Sequence, residues 1–134
     1  MAGTNRKNKG YISDLAIILK GPQLAENIGM VARTMLNFGL YDLRLIKPKQ
    51  SWKNIKAINA SAGAIDLIKK NITVYSSTEE STQDIEFLCA TTVRDRDMQG
   101  QTISPSAAIN QINEKYIKKK NRLSFWARES WPLK

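Results

Sequence analysis

Apolar residues along the chain fall into two rhythms. Short, nearly unbroken runs recur: LAIIL within Asp14 to Lys20, DLRLIK at Asp42 to Lys47, ITVY at Ile72 to Tyr75, a stretch within Ile85 to Val93, and Leu123 to Ala127. Runs of this length between turn-forming residues predict buried strands. Between them the apolar positions switch to helical spacing. Ile28, Val31, Ala32 and Met35 predict a first helix from about Asn27 to Phe38. Asn27 would be its N-cap and Gly39 its stop. Ile55, Ile58, Ala62, Ile65 and Ile68 predict one continuous second helix, and Ala60, Ala62, Gly63 and Ala64 let it press close to its neighbours. Ser77 and Glu80 form a capping-box pattern that starts a short third helix. Ser104 followed by Pro105 opens a fourth, running to about Lys118 with Ile109, Ile112 and Tyr116 on one face.

Strands alternating with helices across short loops predict an α/β fold, a parallel sheet with helices on both faces. Such sheets bind ligands at the carboxyl ends of their strands. No repeat or linker divides the chain. Residues 1–12 read as a flexible basic arm and 13–134 as one domain. The loop from Lys49 to Lys53 carries Trp52 among polar residues, and Lys118 to Lys120 read as a solvated helix end.

Charge adds a partner. The 134 residues hold 21 Lys and Arg against 12 Asp and Glu, a net charge of +9 with no histidine. This excess favours a polyanion such as RNA, with an acidic membrane or plain solubility as the alternatives. No apolar run is long enough to span a bilayer. The one cysteine, Cys89, falls in a predicted buried strand and has no internal partner, which fits a reducing cytoplasm. Without histidine there is no credible zinc site or other metal centre, and no histidine-based nucleophilic triad.

Two stretches carry candidate chemistry. In GPQLAENIGMVARTMLNFGL, Gly21 to Leu40, Asn27 sits at a loop–helix junction and Arg33 about two turns into a mostly apolar helix. They read either as a cap and a solvated or ion-paired arginine, or as functional groups. In ATTVRDRDM, Ala90 to Met98, Thr91 and Thr92 open toward the same sheet edge. Arg94 and Arg96 either present guanidinium forks to phosphate or pair locally with Asp95 and Asp97.

The pattern E-N-I-G-x-x-x-R-x-M-x-N-F-G-L-x-x-L-R-L-I-x-P, starting at Glu26, resembles the first motif of the SpoU (TrmH-type) RNA 2′-O-ribose methyltransferases, in particular the TrmJ-like tRNA enzymes. The resemblance implies an α/β-knot (SPOUT) domain, S-adenosylmethionine as cofactor, RNA as partner with tRNA foremost, and a homodimer. It assigns Asn27 and Arg33 to catalysis, Thr91, Thr92, Val93 and Ala127 to the cofactor, and Arg94, Arg96 and Arg128 to RNA. Methyl transfer to a ribose hydroxyl needs no metal, because the cofactor brings an activated methyl group. It needs alignment, and stabilisation of charge developing on the 2′ oxygen. Arginine is a poor general base, since its pKa lies above about 12. Arg33 is therefore expected mainly to hold phosphate and stabilise the alkoxide, with proton removal a lesser option. Asn27 would orient Arg33 or the ribose.

Toward the C-terminus the pattern changes. The family's F-G-R-E-x-x-G-L is W-A-R-E-S-W-P-L here, Trp126 to Leu133, with Ala127 and Pro132 where glycines belong. The family's third motif, rich in asparagine, proline and serine, and the helix that completes the knot, cofactor pocket and dimer face have no counterpart in these residues. The resemblance thus covers nearly all of this chain but about two-thirds of the family's catalytic domain. Two expectations follow: a C-terminally truncated methyltransferase, or a non-catalytic RNA-binding remnant or half of a split enzyme. Either should expose apolar surface on one sheet face and on part of the first helix.

Overall fold

A computed structural model describes residues 15–91, 103–115 and 123–128. The elements run β1 (Leu15–Lys20), α1 (Ala25–Asn37), β2 (Asp42–Ile46), α2 (Ile55–Ala60), α3 (Ala64–Ile68), β3 (Ile72–Tyr75), α4 (Thr78–Ser81), β4 (Phe87–Thr91), α5 (Pro105–Lys115) and β5 (Leu123–Arg128). The five strands form one sheet in the order β3-β2-β1-β5-β4, and every neighbouring pair is parallel. The α/β architecture expected from the alternation is therefore present.

The main core lies between β1, β2 and helices α1 to α3. Leu19, Leu43 and Leu45 meet Ile28, Ala32, Met35, Ile65 and Ile68, all buried. Alternation along β2 turns Arg44 to the opposite face. There it reaches the carbonyl of Ser81 at the end of α4. Helices thus cover both faces.

Helix α1 ends as its sequence dictates. Gly39 has φ +72°, and the N–H groups of Gly39 and Leu40 donate to the carbonyls of Leu36 and Met35 at 3.0 and 2.9 Å. This left-handed closure suits glycine, and it brings Leu40 onto Met35 in the core. The start differs from expectation. The N-cap position is Leu24, with no side-chain cap, and the helix begins at Ala25. Asn27 is the third helical residue, and its N–H donates to the Leu24 carbonyl at 3.2 Å. Pro22 and the extended Leu24 set the entry, so Asn27 caps nothing at the N-cap position.

The second helix is two helices. The break falls at Ala62 (φ +49°) and Gly63 (φ +89°). Ser61, fully buried, closes the first and begins the second. Its Oγ donates to the Ile58 carbonyl at 2.7 Å and accepts from the Ile65 N–H at 3.3 Å. The small residues here serve a sharp corner as well as close packing. Packing is closest at Gly29: a Cβ there would land on the Ala57 carbonyl oxygen and lie 2.9 Å from Ala60 Cβ and the Ser61 nitrogen. Gly29→Ala should therefore cost about 1–3 kcal/mol by overpacking, read as a lower urea midpoint. An unchanged midpoint would show that the two helices can part freely.

Half of the capping box at α4 is made: Ser77 Oγ accepts from the Glu80 N–H at 3.2 Å, while the Glu80 carboxylate accepts from Ser76 Oγ at 2.9 Å. At α5, Ser104 Oγ accepts from the Ala107 N–H at 3.2 Å, as the Ser-Pro signature predicts. Of that helix's expected apolar face, Ile109 is 51% exposed, with its neighbour Ala108 buried; the Ile112 side chain and Tyr116 lie outside what is described.

β4 corrects the reading of Cys89. Apolar continuity suggested a buried strand, but β4 lies at the sheet edge and its residues alternate between half-buried and exposed. Cys89 is half-buried, with its thiol pKa pushed up by burial. Apolar exposure on α1 is as expected, at Met30 (52%) and at its C-cap Phe38 (65%). Among the strand residues whose burial is described, the exposed large apolar ones are Val74 and Leu88, both on edge strands, while Ala16, Ile18 and Ile46 are buried.

Candidate functional site at the carboxyl edge of the sheet

The pairing register gathers the predicted residues by their backbones. Leu19 of β1 pairs with Ala127 of β5, and Ala127 with Thr91 of β4. One residue on, Lys20 pairs with Arg128 and with Ile46. Thr91, Ala127 and Arg128 therefore stand in adjacent rows at the carboxyl ends of the neighbouring strands β4 and β5, beside the end of β1. Gly21 (φ +63°) turns the chain out of β1 here, its N–H donating to the Ile46 carbonyl at 2.7 Å. Thr92, Val93, Arg94 and Arg96 lie outside the described residues, as does the arm over 1–12.

Asn27 and Arg33 both lie on α1, which rises from this edge. Asn27 is half-buried in the first turn, and Arg33 is exposed further along. Six residues of helix separate them by about 9 Å along the axis and by about 120° around it. They do not share a face, so the helix does not aim one side chain at the other. Arg33 makes no hydrogen bond or ion pair with any described residue. Ion pairing with a described residue is thereby removed, which leaves a solvated arginine or a functional group.

The arginine that the fold does commit is Arg44, which pattern reading passed over as a strand residue. Its Nε and Nη2 donate to the Asp42 carboxylate at 3.2 and 3.0 Å. Nη1 and Nη2 donate to Asp84 at 2.6 and 2.9 Å, and Nη1 to the Ser81 carbonyl at 2.7 Å. All five guanidinium N–H groups are used. The hydrogen bonds to Asp84 and then to Asp42, with their charge, outweigh desolvation and raise its pKa further. The L-R-L-I rhythm of β2 is the only local signal. A polar concavity of about 380 Å³ adjoins this clamp, lined by residues including Tyr41, Lys70, Asn71 and Tyr75. It lies against β2 and β3, away from Thr91. With the guanidinium saturated, Lys70 is the remaining cation among the residues that line it.

Among the described residues no cluster of three or more His, Cys, Asp or Glu could hold a metal ion. None of their helices is long and apolar enough to cross a membrane.

An open parallel sheet with helices on both faces defines an α/β domain. The comparison with known sequences makes it particular: residues 14–119 match the SpoU rRNA methylase family, and the chain belongs to that family. It is 34% identical over 107 residues to LasT of Escherichia coli, described as an uncharacterized tRNA/rRNA methyltransferase, covering 75% of this chain and 43% of LasT. It is 29% identical over 103 residues to the tRNA (cytidine-2′-O-)-methyltransferase TrmJ of Methanocaldococcus jannaschii, covering 75% and 44%. Among solved structures it resembles TrmJ from Z. mobilis ZM4, with 38% identity and a TM-score of 0.76 over 89% of this chain and 51% of that one. The chain spans less than half the length of the curated relatives it matches.

Proposed function

We propose that this chain forms part of an S-adenosylmethionine-dependent RNA 2′-O-methyltransferase acting on tRNA in the cytoplasm. The observation that carries the reading is an exposed guanidinium, Arg33, bonded to no described residue, on the helix leaving the carboxyl edge of β1 in a chain of this family. The similarity to two TrmJ proteins supports tRNA and the 2′ oxygen as target.

The strand ends fit one wall of a cofactor site. They offer backbone groups, the exposed Thr91 and the small Ala127, and none of the five strands ends in a carboxylate. Thr91, Thr92, Val93 and Ala127 would hold S-adenosylmethionine, which supplies a methyl group already activated for transfer. Arg33 holds the phosphate beside the target ribose and offsets the charge that develops on the 2′ oxygen. With a different helix face between them, Asn27 acts on the ribose through its amide and not on Arg33. Arg94, Arg96 and Arg128 meet flanking phosphates. Exposed Met30 on α1 and Phe38 at its C-cap support pairing of two copies.

The test is incubation with methyl-labelled cofactor and tRNA, followed by alkaline hydrolysis, which a 2′-O-methyl group blocks. Label retained in alkali-resistant dinucleotides is the expected result. Calorimetry with S-adenosylmethionine runs alongside it. RNA binding without either cofactor binding or label would replace this reading with that of an RNA-binding module.

A further inference from the structure

The loop joining β2 to α2, and the first turn of α2, hold four lysines, Lys47, Lys49, Lys53 and Lys56, all exposed. From Lys47 to Ile65 the sequence contains no carboxylate. None of the four forms an ion pair with a described residue. The loop is also held in place. The Lys47 N–H donates to the Tyr75 carbonyl at 3.0 Å, and the Lys49 N–H to the Pro22 carbonyl at 2.9 Å, which ties the loop to the turn after β1. The Lys53 N–H donates to Ser51 Oγ at 3.0 Å, and Asn54 Oδ1 accepts from the Lys56 N–H at 2.9 Å. Trp52 packs against the core, and Lys53 Nζ lies 5.5 Å from the centre of its ring.

Like charges gathered on a fixed loop repel one another, so this arrangement costs stability unless an anion visits it. The turn it is tied to leads directly into α1, which carries Arg33. We infer that this lysine loop is a second RNA contact, gripping backbone phosphates beside the nucleotide presented to Arg33. The inference rests on the RNA reading above and adds to it the surface that sets affinity. Lysines without carboxylate partners act by displacing counterions, which makes their contribution dependent on salt and indifferent to base sequence.

The experiment compares the wild-type chain with the triple variant Lys49→Gln, Lys53→Gln, Lys56→Gln, using fluorescence anisotropy of a labelled RNA hairpin across a salt series. Lys47 is left intact because its backbone is left-handed (φ +44°). The slope of log affinity against log salt should become shallower by about 1 per lysine, with affinity at low salt falling roughly ten- to a hundredfold. Circular dichroism should be unchanged, since all three side chains are exposed. If the wild type binds and the triple variant matches it in affinity and slope, the loop is not an RNA contact, while the methyltransferase reading stands. If the wild type ignores RNA but is captured by anionic phospholipid vesicles, both readings fall.

Discussion

Arg33→Ala should cut methyl transfer to tRNA by about 10²–10³-fold, the usual loss when one preorganised charge-stabilising group is removed. It should leave the melting temperature almost unmoved. The contrast follows from the placement of the side chain. Arg33 is exposed on α1 and bonds to no described residue, so the described part of the fold draws little from its charge. Surface changes of this kind usually stay within about 0.5 kcal/mol. RNA affinity should also hold, because the unpaired lysines between Lys47 and Lys56 remain. Arg33→Lys should recover little activity, since a point charge lacks the two-pronged geometry that matches a phosphate. The measurement is single-turnover transfer alongside a thermal melt. Wild-type transfer by the alanine variant would remove Arg33 from the chemistry, and a large drop in melting temperature would make it structural.

Arg44→Met should do the reverse, destabilising the protein without touching the reacting groups. The side chain is 5% exposed, and its partner Asp42 22%. Methionine would fill much of the volume but remove the Arg44 donors from both carboxylates and from the Ser81 carbonyl. Breaking a buried pair from one side costs about 3–5 kcal/mol. Asp84 is 47% exposed and can recover hydration, which places the expected loss nearer 3 kcal/mol, or roughly 10 °C in Tm. The clamp also joins distant parts of the chain. Arg44 sits on an interior strand, whereas Ser81 and Asp84 lie on the segment that carries the chain from β3 at one edge to β4 at the other. Adding Asp42→Asn and Asp84→Asn to the methionine variant should restore part of the loss, because the two charges that Arg44 balances would be gone. A melt within about a degree of wild type for the single variant would show the clamp to be ornamental.

Hydrophobic rhythm alone was enough to locate all five strands, since each is a short apolar run closed by a turn. Gly39 was legible because a left-handed helix end leaves few alternatives. The boundaries that failed depended on competition between neighbours. Asn27 is a good cap in isolation, but Pro22 and Leu24 start the helix two residues earlier. Ser61 and Gly63 fit a helix interior by size, and only the tertiary corner shows that they divide it. The status of β4 was unreadable for a different reason: nothing local states that a strand will lie at an edge. Arg33 could be picked out as a long cation in an apolar helix. Arg44, equally long and cationic, was hidden because Asp84, which completes its grip, lies 40 residues away in sequence.

The contact at Gly29 has a mechanical meaning. With no room for even a methyl group between α1 and the end of α2, the two helices form a single stiff plate, one carrying the arginine and the other leading back to the lysine loop. Such a plate has no slack with which to mould itself around an incoming strand. On the proposed reading, adjustment at that surface falls to the incoming nucleic acid and to the Arg33 side chain, which is exposed and bonded to no described residue.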